Sequence, residues 1–108
     1  MSEEITDADG RVLQVRELSI RDRMKLLRKM GAAADVSVWI SQVALAACVT
    51  AIDGVPVMMP ETPDAAEFLV DKVGTEGANA VAAWYVARRD AKEVDKERLK
   101  NSSALPTS

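Results

Sequence analysis

The ten residues AIDGVPVMMP, 51 to 60, constrain the fold more than any other stretch of this 108-residue chain. Asp53-Gly54 favours a tight turn, because glycine accepts positive φ and aspartate bonds its own backbone, and Pro56 and Pro60 then forbid a continuing helix. Val55, Val57, Met58 and Met59 therefore lie in extended chain. Apolar side chains in such a connection either tuck under the fold or face a partner.

The rest of the chain carries strong helix punctuation. Ser19-Ile20-Arg21-Asp22 has the spacing of a capping box with Asp in place of Glu, so a helix is expected over about 20–30, with Leu18, Met24, Leu27 and Met30 as its apolar stripe and Gly31 as its stop. Asp35 or Ser37 opens a second helix, about 36–52, carrying Trp39, Ile40, Val43, Ala44, Ala47 and Thr50. It is apolar nearly all round and is expected to be the central, most buried helix. Thr62-Pro63-Asp64 combines a cap, a first-position proline and an acid that complements the dipole, giving a third helix over 63–73 that stops at Gly74. Thr75 caps a fourth, about 76–98, whose end is charged on every side.

Before these helices, Asp7-Ala8-Asp9-Gly10 and the Val/Leu-rich run after it predict a short strand or hairpin within about 3–16. After them, 101–108 reads as a disordered tail. The expected fold is mainly α: a single domain over 1–100, built as a compact bundle of about four helices with a short N-terminal β-strand or hairpin.

Composition narrows the chemistry. Histidine is absent, so the commonest general base and metal ligand is missing, and the single Cys48 has no partner for a disulfide or zinc site. Asp64, Glu67 and Asp71 share a helix face, which reads as a solvated row rather than an acid/base pair. The GTEG segment lacks the lysine and preceding strand of a phosphate-cradling loop. No enzyme, cofactor or metal is expected. A net charge of −3 and a pI near 4.9 oppose long-range attraction to nucleic acid. No basic-then-apolar leader is present and no apolar run approaches the roughly 18 residues of a membrane span, so a cytoplasmic protein without membrane or nucleic-acid partners is expected.

Four residues stand out as partner-binding candidates. Trp84 and Tyr85 are adjacent and point about 100° apart on one helix, too far to share a narrow core stripe. Met58 and Met59 are either gap fillers at the bundle's end or a soft surface for an apolar partner. Trp39, on the most apolar helix, is assigned to the core.

The run GRVLQVRELSIRDRMKLLRKMG, the Trp-bearing Ala-rich helix and AIDGVPVMMPETPDAAEFLVDKVGTEG together resemble the tail assembly chaperones of long-tailed bacteriophages and prophages, over residues 10–88. The resemblance implies a non-enzymatic helical protein of the bacterial host cytoplasm, absent from the finished particle. Such proteins coat the long apolar tape measure protein, keep it soluble and help bring tail tube subunits to it. Many of them also exist as a longer product of a programmed ribosomal frameshift, and Leu99-Lys100-Asn101 is compatible with the slippery heptanucleotide A AAA AAC. The expected partners are then the tape measure protein, the tail tube protein, reached through such a longer form, and further copies of the chain in a homo-oligomer. Two other readings compete: a small structural tail or head-completion subunit, and a small helical DNA-binding regulator using the basic first helix.

Overall fold

The computed structural model describes residues 3–104, with side chains described for 3–91. Asp7 shapes the first hairpin, formed by β1 (Glu3–Thr6) and β2 (Val12–Val15). Its carboxylate accepts from the Asp9 N–H at 3.0 Å and the Arg11 N–H at 2.9 Å, and Gly10 follows at φ +84°. Ile5 pairs with Leu13 across the ladder. Leu13 and Val15 alternate inward and are fully buried.

The hairpin does not stand alone. β2 pairs antiparallel with β3 (Val49–Ile52), and β3 turns back into the two-residue β4 (Val55–Pro56), giving a four-stranded antiparallel sheet in the order β1-β2-β3-β4. Asp53 and Gly54 both take positive φ, 50° and 82°, as a type I′ hairpin turn requires. Asp53 is also sewn to β2: its side chain accepts from the Val12 N–H and its own N–H donates to the Val12 carbonyl, each at 2.8 Å. Pro56, which lacks a donor, sits on the edge strand.

This sheet corrects the expected fold class, because the chain is not a four-helix bundle. The helix expected over 36–52 ends at Ala47 as α2 (Ser37–Ala47), and Val49, Thr50 and Ile52 form strand instead. Their β-branched side chains favour a pleated, half-buried surface, and the Asp-Gly turn lets them pair locally with Val55 and Pro56. A short apolar run can satisfy either periodicity, and the available partner strands settle the choice. The break expected at Gly74 is present: the helices expected over 63–73 and 76–98 are the two arms of α3 (Pro63–Ala104), which meet at a kink where Gly74 leaves helical geometry. Asn101–Ala104 continue α3 rather than forming a tail; positions 105–108 of that expectation lie outside the described residues.

The remaining boundaries follow from their caps. α1 (Ile20–Met30) starts where the Ser19 hydroxyl accepts from the Asp22 N–H at 3.1 Å and stops at Gly31, φ 59°. A 3₁₀ turn over Gly31–Asp35 leads into α2. α3 starts with the Thr62 hydroxyl accepting from the Ala65 N–H at 3.1 Å. At Gly74 the dihedrals are φ 73° and ψ 174°, a region open essentially to glycine alone.

The carbonyls freed at that break are served from the other end of the chain. The Arg11 guanidinium donates to the Lys72 carbonyl at 2.9 Å and to the Val73 carbonyl, while its Nε holds the Asp7 carboxylate at 2.8 Å. The Thr75 hydroxyl, expected to cap here, makes no hydrogen bond among the described residues. One arginine thus bolts the β1–β2 turn to the break in α3.

Leu13, Val15, Val43, Ala66, Val73 and Val81 head the core, which joins β2, α2 and both arms of α3. α2 is not its centre: only Val43, Ala46 and Ala47 are buried, while Val38 is 73% exposed and Trp39 is half-buried, packing against the core's edge. α1 buries Leu26 and Met30 rather than the full expected stripe, leaving Met24 and Leu27 exposed.

Candidate functional site

The rotation of α1 leaves it with two apolar faces. Leu26 and Met30 point to the core, and Leu27, Ile20 and Met24 form a second stripe on the solvent side. Leu27 borders a groove of about 360 Å³ between α1 and α2, whose other walls include Ile40, Ala44 and Leu45 of α2 and Tyr85 of α3. Ser41 and Ala44, with small side chains, leave this side of α2 shallow between Ile40 and Leu45.

Polar groups are few and lie at the edges. The Arg23 guanidinium donates to the Tyr85 hydroxyl at 3.0 Å, joining α1 to α3 at one border. Cys48 lies in the wall, buried, with its Sγ donating to the Ala44 carbonyl at 3.4 Å; burial pushes its thiol above the ordinary value. The lining carries one cation, Arg23, and no carboxylate. Among the described residues no cluster of three or more His, Cys, Asp or Glu could hold a metal ion, and no helix is long and apolar enough to cross a membrane. A groove of this composition can bind an apolar surface.

The four candidates named from sequence are distributed over three places. Tyr85 lines the α1–α2 groove. Met58, 84% exposed, and half-buried Met59 line a separate hollow of about 400 Å³ with Phe68 and Lys72 on α3. Trp84 packs beside Tyr85, ring centroids 6.5 Å apart, but belongs to a polar tie: its Nε1 donates to Glu3 at 2.7 Å, and the Arg88 guanidinium, 5.8 Å from the ring, binds both Glu3 and Glu17. That tie holds β1 against the second arm of α3.

Leu27 and Ile40 enter the sequence reading only as helix apolar-face residues, and none of Leu27, Ile40, Leu45 and Phe68 is among its partner-binding candidates. The signal for α1 was present: five apolar residues in eleven, at positions that cannot share one stripe, mean surplus apolar surface on a short helix. Neither a family model, nor a curated protein, nor a solved structure matches this chain.

Proposed function

We propose that this protein is a tail assembly chaperone of a long-tailed phage or prophage, acting in the host cytoplasm to bind and solubilise the tape measure protein and to help bring tail tube subunits to it. The sequence resemblance over residues 10–88 names the family. The open, carboxylate-free groove between α1 and α2, bordered by a further exposed apolar stripe, is the observation that carries the reading. A long amphipathic client helix would lay i, i+3 and i+4 anchors into it.

The magnitudes suit a coat of many copies rather than one tight complex. Two or three Leu-sized anchors contribute roughly 1.5–3 kcal/mol each before the cost of association, so a single groove binds weakly. Many grooves along one extended client raise the overall affinity by avidity, and each copy remains releasable when tail tube subunits arrive.

The test is co-expression with the tape measure protein encoded in the same genome. Leu27→Asp and Tyr85→Asp are expected to abolish co-purification while circular dichroism and melting stay near wild type; Met58→Asp asks whether the second hollow shares the client. Retained co-purification in both groove variants would exclude the groove as the binding surface. Recovery of the protein in purified particles would favour a structural tail or head-completion subunit instead. Sequencing codons 99–101 checks the longer product: any heptanucleotide other than A AAA AAC removes that version of the frameshift.

A further inference from the structure

The two long walls of the α1–α2 groove differ in charge. α2 carries no Lys, Arg, Asp or Glu, whereas α1 holds five Lys or Arg against Asp22, a net +4. Two of the five cations are occupied: Arg23 donates to the Tyr85 hydroxyl, and Lys29 pairs with Glu61 at 2.7 Å. Arg21, Lys25 and Arg28 are exposed and make no ion pair or hydrogen bond among the described residues.

Their place on the helix relates these three to the groove. At about 100° per residue, the order round α1 from the groove's Leu27 outward is Ile20, Met24, Arg28, Arg21 and Lys25. The last five share one hollow of about 650 Å³, so the cations and the exposed apolar pair form a continuous surface. An α-helix with its side chains is about 10–12 Å across. One resting on Leu27, Ile20 and Met24 therefore brings its outer flank to the cations while its inner flank meets the uncharged α2 wall. Arg21 and Arg28 are seven residues apart, about 10 Å of axis, which matches carboxylates at i, i+3 or i+4, and i+7 on a helix lying along α1.

We propose that the client segment accepted by this groove is an acidic amphipathic helix, with apolar anchors on its inner face and Asp or Glu on the one flank that lies against α1. The inference rests on the groove being the client site and adds what the client must carry. Because only one wall is charged, such a helix fits in one direction. Duplex DNA would satisfy the cations but bury neither Ile20 nor Met24. A flat anionic bilayer would meet both, yet leave the groove behind Leu27 empty. The charge preference is sensitive to salt, because the pairs form at an exposed rim.

The test measures binding of the full chain to three labelled helical peptides by fluorescence anisotropy at low ionic strength. All three share a leucine stripe at i, i+3, i+4 and i+7, and one flank of the stripe carries Glu, Gln or Lys. The Glu peptide is expected to bind roughly tenfold tighter than the Gln peptide and tighter still than the Lys peptide, the gap closing as salt is added. Arg21→Glu/Lys25→Glu/Arg28→Glu should reverse the order; if that variant does not fold, Arg21→Gln/Lys25→Gln/Arg28→Gln must abolish the preference. Leu27→Ala should weaken all three peptides by a similar factor. Equal affinities, no measurable binding of any peptide, or a preference that survives loss of the three cations overturns the proposal. So does cosedimentation with anionic vesicles without discrimination among the peptides, which assigns the cations to a lipid surface. Capture of the tape measure protein is scored separately. Capture alongside indifferent peptides sinks only the acidic-client inference, whereas a clear Glu preference without capture sinks the chaperone reading and leaves the groove's charge preference standing.

Discussion

Replacing Arg11 by Met removes the guanidinium while keeping an apolar stem of similar reach. Two carbonyls, Lys72 and Val73, then lose their donor at the Gly74 break, where no backbone N–H of a continuing helix turn replaces it. Hydrogen bonds from a charged donor contribute about 1.5–3 kcal/mol each. The Arg11 side chain is 28% exposed, so water recovers part of each, and the sum falls to about 2–4 kcal/mol. For a domain of this size that lowers the melting midpoint by about 10–20 °C. Thermal melts followed by far-UV circular dichroism, with urea titrations to confirm an unchanged m value, measure it. Arg11→Lys separates charge from geometry: one ammonium cannot reproduce the fork that serves both carbonyls and Asp7, so about half the loss should remain. If Arg11→Met stays within about 0.5 kcal/mol of wild type, the ordinary scatter of surface changes, the bolt between hairpin and helix contributes nothing and the reasoning fails.

Gly77→Ala gains about 1 kcal/mol of helix propensity, but its Cβ would lie 2.8 Å from the Val73 Cγ1 and 3.1 Å from Arg11 Nη2. Val73 is buried and stiff at χ1, so it cannot yield, and overpacking of about 1–3 kcal/mol prevails. Urea unfolding should show a net loss of about 1–2 kcal/mol; a stabilised variant would mean that the helix and hairpin do not approach this closely. The acid limb of stability should report Asp7. Burial raises the pKa of its carboxyl, but the N–H and guanidinium of Arg11 and the N–H of Asp9 outweigh burial and hold it below the usual carboxylate value. Its contribution is thus fully present above that usual value and is lost as pH falls through the lowered folded-state pKa. Asp7→Asn should make the melting midpoint fall less steeply over that acid range, and equal slopes for the two proteins would contradict the assignment.

What local chemistry dictates was legible in the residues. The Ser19 and Thr62 hydroxyls cap as their spacing requires, and Gly31 and Gly74 take the left-handed φ that their positions after apolar stripes suggest. What depends on distant partners was not. Residues 49–52 pair with β2, more than thirty positions earlier, and nothing within VTAI separates a buried strand from a helix turn. The Asp53-Gly54 turn was recognised as a reversal, but its role as a hairpin rather than a helix stop needed that pairing. The same holds for the site. Trp84 and Tyr85 were marked as a pair that cannot both share the core stripe, yet the groove that Tyr85 borders exists only because α1 turns Leu27 outward beside α2. Arg11 carries no motif, and its acceptors lie 61 and 62 residues away.

The tie between Glu3 and Arg88 has a temporal side. The two residues are 85 positions apart, so at about 5–20 residues per second the ribosome needs roughly 4–17 s after making β1 before it has made its clamp. During that interval the Glu3 end of β1 lacks its clamp, although β3 and the Arg11 acceptors Lys72 and Val73, which fix β2, are made earlier. The outermost strand is therefore the last to be secured, gaining its clamp only after the codons beyond the Gly74 break have been read.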